Sequence, residues 1–205
     1  MSIAVLLPFF ALLILSLSFH EAAHAWAANR LGDSTARQLG RLTLNPLAHI
    51  DWIGTVLFPL LMLYYDAPLL GWAKPVPVNA RNLRSPRMDF AMVALAGPVS
   101  NVILALGAAA LLMAMGSRGT VGVDSVAGLL TQMVLLNVLL AVFNMIPVPP
   151  LDGGNVLAGF VPEPLARAID LLRPWGFIIL YLMLFTGVLW QVVSPVQSLI
   201  LRWLL

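Results

Sequence analysis

The chain has 205 residues, of which 60% are hydrophobic and only 10% are charged, and its mean hydropathy is +0.94. Soluble domains carry about 25% charged residues, so this composition predicts an integral membrane protein and leaves too little polar sequence for a separate soluble domain. The net charge is +2, and the 11 basic residues are scattered among short segments, which argues against nucleic-acid binding. Cysteine is absent, which excludes thiolate metal sites, disulfides and thiol nucleophiles.

Five apolar segments are long enough to cross or enter a bilayer. They cover residues 3–28, 52–65, 88–115, 126–146 and 175–193. A full span needs about 20 residues, so the second segment is short. The pattern predicts an all-α polytopic membrane protein with about five membrane segments, in a single membrane-embedded domain over residues 1–205.

A proline-rich stretch follows the second segment, with three prolines and one glycine between residues 67 and 79. Proline fixes φ and removes an N–H donor, so this stretch should be extended rather than helical. We predict that it returns the chain through the membrane as a re-entrant hairpin. Val76 and Val78 could then pair with an unwound substrate strand. Lys74 could contact substrate backbone or lipid phosphate, or simply reach the interface with its charged end.

The arginines predict the topology. With the N-terminus outside, eight of them fall in cytoplasmic loops, and two (Arg118 and Arg202) fall outside, as the positive-inside rule requires. The loops over 30–51, 79–87 and 150–174 should therefore face the cytoplasm, and the loop over 117–124 the other side. A cleaved signal peptide is disfavoured, because no basic region precedes the first apolar run.

The first segment carries a metal-binding pattern, His20-Glu21-Ala22-Ala23-His24. Positions i and i+4 share a helix face, so His20 and His24 can bind one metal ion. Glu21 lies next to them and could be the general base of a hydrolase. A charged group at the bilayer centre costs about 2.5–3.5 kcal/mol on insertion scales, a cost that usually marks function. The alternative is a pair of buried histidines with a structural carboxylate.

A zinc hydrolase needs three protein ligands and an open position, so a third His, Asp or Glu is required. Asp152 stands out among the candidates, because three prolines end the fourth segment just before it and two glycines follow it. Asn144 could donate to a substrate carbonyl or an oxyanion, or it could bond a neighbouring helix. We favour the latter role for Asn137.

Two further clusters have simpler explanations. Gly97, Pro98 and Asn101 near the start of the third segment predict close helix packing beside the metal-binding helix. His49 and Asp51 precede the second segment, and we expect them to cap or fix that loop rather than form a second metal site.

Three stretches together resemble the site-2 protease family of intramembrane zinc metalloproteases: residues 20–24, 96–101 and 144–154. Residues 71–79 look like the hairpin of its short bacterial members, and residues 45–51 also fit that subgroup. The resemblance covers most of residues 20–155. It implies one zinc ion per chain bound by His20, His24 and Asp152, with Glu21 as the general base. Many bacterial members carry a PDZ domain, for which this chain has no room.

The sequence therefore predicts an intramembrane zinc endopeptidase that cuts transmembrane segments of partner proteins. We expect a multi-pass protein of a bacterial-type inner membrane, in contact with lipid and without nucleic acid, and leave a homo-oligomer open. A metal transporter is the first alternative, but it would show repeated halves, which the sequence lacks. A non-catalytic adaptor of the same fold is the second, and the intact Glu21 argues against it.

Overall fold

The structure of the protein is a computed structural model that describes residues 3–64, 73–117 and 125–205. The predictions for Gly71, Trp72 and Arg118, and for the outer loop over 118–124, fall outside these residues.

Within these ranges the chain is helical and contains no strand, so the predicted all-α fold is confirmed. The helices are α1 (Ile3–Leu31), α2 (Thr35–Gln38), α3 (Phe58–Tyr64), α4 (Pro86–Ala114), α5 (Val126–Asn144), α6 (Asp152–Phe160), α7 (Glu163–Leu172), α8 (Gly176–Phe185) and α9 (Val188–Leu204).

Four helical stretches of the described chain are long and apolar enough to cross a membrane: Leu7–Leu31, Pro86–Ala114, Val126–Asn144 and Glu163–Phe185. The predicted second segment becomes a π-helical turn of six residues followed by the seven residues of α3, which is too short to span. The predicted fifth segment differs from the observed helices. Gly187 adopts a φ of +76° and separates α8 from α9, because glycine tolerates this left-handed conformation.

The centre of the molecule lies between α1, α4 and α5. Small side chains of α4, including Ala105 and Ala108, pack on Val134 and Val138 of α5. Between membrane helices, association depends on such close packing and on interhelical hydrogen bonds. The close packing predicted near the start of the third segment concerns Gly97, Pro98 and Asn101, and all three are buried on α4.

Residues 73–79 form an irregular segment that contacts α1 through Glu21, and we call it the strap. The strap is not helical, as its prolines predict. Its backbone N–H groups are used in contacts with the helices and loops: Lys74 N donates to the His49 carbonyl at 2.9 Å, and Asn79 N donates to Asp33 Oδ2 at 2.6 Å. Arg41 Nη2 donates to the Lys74 carbonyl at 2.5 Å. The strap is therefore held at several points along its length.

The loop before the second segment is fixed as predicted. Asp51 caps the π-helical turn, where its Oδ1 accepts from the N–H groups of Ile53 at 3.0 Å and Gly54 at 2.8 Å. The His49 ring Nε2 lies 2.8 Å from the Thr43 carbonyl, its hydrogen-bond partner. These contacts give both residues a local structural role.

Candidate active site

The pattern on α1 places two imidazoles one helical turn apart, and both are buried. His20 is 5% exposed and His24 is 9% exposed. The Asp152 carboxylate approaches them from the start of α6, with its Oδ2 at 3.1 Å from the His20 Nε2 and 3.4 Å from the His24 Nε2. Ligand atoms of the three residues all lie within 4.8 Å of one another.

Asp152 reaches this position because the chain turns sharply after α5. The turn folds directly against the start of α6, where two glycines give it room. A Cβ on Gly153 would lie 2.5 Å from the Ile146 carbonyl oxygen, and one on Gly154 would lie 2.7 Å from the Pro149 nitrogen. Both positions therefore require glycine, which explains the two glycines beside the carboxylate.

Helix α4 approaches the same imidazoles through Gly97. A Cβ at this position would lie 2.5 Å from the His20 Nε2 and would also collide with the His24 ring. The backbone of α4 thus forms one wall of the site, and only a residue without a side chain allows this distance.

The second nitrogen of each imidazole is bonded to α4. His24 Nδ1 lies 2.7 Å from the Val93 carbonyl, which can only accept, so His24 Nδ1–H is the donor. His20 Nδ1 lies 2.6 Å from Asn101 Oδ1. The Nε2 atoms of both rings are thereby turned towards Asp152.

Glu21 is 9% exposed and faces the strap. Its Oε2 accepts a hydrogen bond of 2.9 Å from the backbone N–H of Val76. This bond places a carboxylate beside the two imidazoles and fixes one of its oxygens.

The donor set fits zinc. Two imidazole nitrogens and one carboxylate oxygen are ligands that zinc prefers, and they leave a fourth tetrahedral position open. The Asp152 Oδ2 is buried and, within the described residues, makes no hydrogen bond with acceptable geometry although it lies close to both Nε2 atoms. A buried carboxylate oxygen without a donor is costly unless a cation satisfies it.

A cavity of about 530 Å³ opens beside the three residues. Its wall is largely apolar and includes Phe90, Phe143, Phe177 and Leu180, while Glu21 and two asparagines supply polar groups. The three residues therefore lie at the wall of an open, largely apolar cavity among helices that are apolar enough to span a membrane.

Comparison with known proteins decides the family. A protein of Bacillus subtilis (strain 168) named "Putative zinc metalloprotease YwhC" is 37% identical over 209 residues, which cover 96% of this chain and 91% of the relative. The model of "Peptidase family M50" matches residues 117–183.

This chain belongs to peptidase family M50, the site-2 protease family.

It is accordingly a zinc metalloprotease and a multi-pass membrane protein. A second relative, "Putative zinc metalloprotease Rip2" of Mycolicibacterium smegmatis (strain ATCC 700084 / mc(2)155), is 30% identical over 176 residues, covering 86% of this chain and 66% of the relative. No solved structure matches the chain.

Of the other four residues predicted for the site, three line the cavity and one does not. Val76 and Val78 line the cavity. Lys74 is exposed and is not part of the cavity wall. Asn144 also lines the cavity, but its Nδ2 donates to the Leu140 carbonyl of its own helix at 3.0 Å, so one of its two amide hydrogens is already used.

Sequence reasoning missed one residue of the candidate site, Asn155, and one contact, between Asn101 and His20. Asn155 lies on the cavity wall three residues after Asp152 on α6, and the i+3 spacing on one helix face could have indicated it. Asn101 contacts His20 although 81 positions separate them, and spacing along the sequence carries no signal for such a pair.

Proposed function

We propose that this M50 protease is an intramembrane zinc endopeptidase, which hydrolyses peptide bonds in or near transmembrane segments of membrane proteins. The observation that carries the proposal is the convergence of His20, His24 and Asp152 on one buried point beside an apolar cavity. Helices apolar enough to span a membrane surround this point, so the substrates that reach it would be membrane segments.

His20, His24 and Asp152 would hold one zinc ion per chain beside the cavity. When bound, the metal would polarise the scissile carbonyl and lower the pKa of water. Glu21 would take the proton of the attacking water and deliver it to the leaving amine. The Val76 N–H holds one Glu21 oxygen, which leaves the other for proton transfer.

A transmembrane substrate has to unwind, because its helical peptide bonds are already hydrogen-bonded and shielded. The apolar wall of the cavity would receive its side chains, and the strap would receive its backbone. Arg41 already bonds the Lys74 and Pro75 carbonyls, and the Val76 N–H is bonded to Glu21, so main-chain pairing would use the Val76 and Val78 carbonyls and the Val78 N–H.

Two polar side chains would assist this binding. The second amide hydrogen of Asn144 would donate to a substrate carbonyl in the cavity. The exposed Lys74 would contact the substrate backbone or a lipid headgroup outside it.

We further propose a bacterial-type inner membrane as the location, one domain over residues 1–205, and cytoplasmic loops at 30–51, 79–87 and 150–174. The absence of cysteine makes the orientation testable, since a single introduced thiol can be labelled with an impermeant reagent. Arg81→Cys is exposed and should be labelled only after the membrane is opened. Labelling of intact cells at this position would overturn the orientation.

Zinc content and cleavage rate, measured on the same purified proteins, distinguish the proposed zinc ligands from the proposed base. Asp152→Ala and His24→Ala should lose zinc, because each removes one of three ligands. Glu21→Gln should keep zinc and lose cleavage of a reporter transmembrane segment by about 10²–10⁴-fold, because an amide cannot accept the proton. Asp170→Asn, on the exposed face of α7, is the control and should change neither. Unchanged zinc content in both ligand variants would overturn the proposal.

A further inference from the structure

Three buried side chains form a continuous hydrogen-bonded chain from α5 to His20. Asn101 on α4, Asn137 on α5 and Ser16 on α1 are each 0% exposed, and we call them the amide ladder. Asn101 Nδ2 donates to Asn137 Oδ1 at 2.9 Å, and Asn137 Nδ2 donates to Ser16 Oγ at 2.9 Å. The ladder thus joins all three central helices at the height of the metal-binding site.

The ladder has a direction, and a backbone carbonyl sets it. Asn137 Nδ2 also donates to the Met133 carbonyl at 2.9 Å, and a carbonyl can only accept. The Asn137 amide therefore has to present its oxygen to Asn101, and Asn101 in turn has to present its own oxygen to His20. The His20 Nδ1, at 2.6 Å from that oxygen, must then be the donor. Its Nε2 is left with a free lone pair towards Asp152.

We propose that the amide ladder is a tautomer lock for the zinc ligand His20, with Asn101 and Asn137 as positioning residues. This inference rests on the proposed function, in which His20 Nε2 binds zinc. The ladder keeps the His20 proton on Nδ1 and the ring in one orientation, so the metal meets a preformed ligand. Partners of this kind behind a metal-binding histidine are typically worth 10–100-fold in metal affinity or activity.

Hydrogen bonds that only held the helices together would not need a fixed direction. His24 reaches the same protonation state in one step, through the Val93 carbonyl. Within the described residues, the partner of His20 Nδ1 is instead the Asn101 amide oxygen, so the His20 proton is fixed through two amides and the Met133 carbonyl. If Asn137 is lost, the Asn101 amide can rotate and offer its N–H to His20 Nδ1. That geometry places the His20 proton on Nε2, where it blocks metal binding.

Asn137 is the decisive residue to change, because it touches neither the metal ligands nor the cavity. Asn137→Leu should weaken zinc binding by about tenfold or more in a chelator competition, since the direction of the ladder is lost. Asn137→Asp should stay near wild type, because a buried neutral carboxyl can still accept from Asn101 and donate to Met133. The matched control is Thr131→Val, which removes a buried α5 hydroxyl whose hydrogen-bond partner, within the described residues, is the Ala127 carbonyl of its own helix. It should leave zinc affinity unchanged.

Two further readouts keep the proposal testable if one variant folds poorly. In ¹⁵N NMR of the zinc-loaded wild-type protein, His20 should show a slowly exchanging Nδ1–H. The double variant Asn101→Leu with Asn137→Leu leaves no unpaired amide in the ladder, so it should fold while binding zinc weakly. Wild-type zinc affinity in the folded Asn137→Leu or double variant, or a His20 proton on Nε2, would overturn the lock. Failure of the proposed function is distinct, because Asp152→Ala would then retain zinc.

Discussion

The two sides of the cavity hold their functional groups in different ways. On the helical side, the imidazoles of His20 and His24 are bonded into the interior of α1, α4 and α5 through Asn101 and a backbone carbonyl. On the opposite side, the Glu21 carboxylate is bonded to the strap, through the N–H of Val76. The strap is irregular backbone, and its own anchors are a loop carbonyl and the side chains of Asp33 and Arg41.

In the proposed mechanism, metal binding and acid–base chemistry therefore depend on different parts of the structure. The helical side is tied by bonds between buried helices, which open only when the helices separate. The strap is irregular backbone, so we expect it to move more readily than those helices, and the proposed substrate would bind along it. Changes on the helical side should therefore alter zinc binding, and changes on the strap should alter cleavage at constant zinc content.

The largest effect is expected for Gly97→Ala on the helical side. The added methyl group would overlap the Nε2 atoms of both imidazoles, and neither ring can move away because its other nitrogen is bonded. Zinc and cleavage should both be lost, and overpacking should destabilise the protein by about 1–3 kcal/mol. Metal analysis and thermal unfolding in detergent measure these two effects.

Gly107→Ala is the matched control on the same helix. A Cβ there meets no atom within 4 Å, so alanine should leave zinc unchanged and stabilise the helix by about 1 kcal/mol or less. Full zinc content in Gly97→Ala would show that α4 does not limit the space around the ligands, and the contrast between the two sides would fail.

An intermediate effect is expected on the strap for Val76→Pro. Proline removes the N–H that donates to Glu21 but tolerates an extended backbone, so zinc content should stay at the wild-type level. Turnover of a reporter substrate should fall by about tenfold or more, because the base loses its orientation. Val76→Ala keeps the N–H and should cleave at close to the wild-type rate. Equal rates in the two variants would mean that the strap does not orient Glu21.

The sequence predicted the parts of the site that depend on local spacing. His20 and His24 follow from the helical repeat, and the non-helical strap follows from its prolines. The prolines and glycines around Asp152 indicated it as a candidate ligand. In the structure, the two glycines after it lie against the backbone of the preceding turn. In each case the physical rule acts over a few residues, so the chain order alone carries the information.

The parts that could not be predicted depend on distant residues or on a single torsion angle. The contact between Glu21 and Val76 joins positions 55 residues apart, and the contact between Asn137 and Ser16 joins positions 121 apart. No composition rule states which buried amide meets which helix. The apolar sequence over 175–193 likewise predicts one continuous segment, whereas in the structure the positive φ of Gly187 divides it into two helices.

The smallest effect on zinc content and cleavage is expected at the far end of the strap, for Asp33→Asn. Asp33 is fully buried, and its Oδ1 accepts from Thr35 and Asn82 while its Oδ2 accepts from the Asn79 N–H. Burial alone would raise the pKa of Asp33, but the hydrogen bonds from Thr35, Asn82 and Asn79 lower it overall. Asparagine would turn an N–H₂ group towards the Asn79 N–H, which should cost about 1–3 kcal/mol in the free energy of unfolding.

The pH dependence of this cost sharpens the comparison. Because the pKa of Asp33 is lower in the folded protein, its stabilising contribution is fully present above the unfolded value of about 3.9 and is lost as the pH falls through the folded value. The difference between wild type and Asp33→Asn should thus be constant near neutral pH and shrink in acid. Asp170→Asn, in an exposed ion pair, should change stability by less than about 1 kcal/mol. If Asp33→Asn also lowers zinc affinity, the strap and the helical side are one cooperative unit, and their supports are not separate.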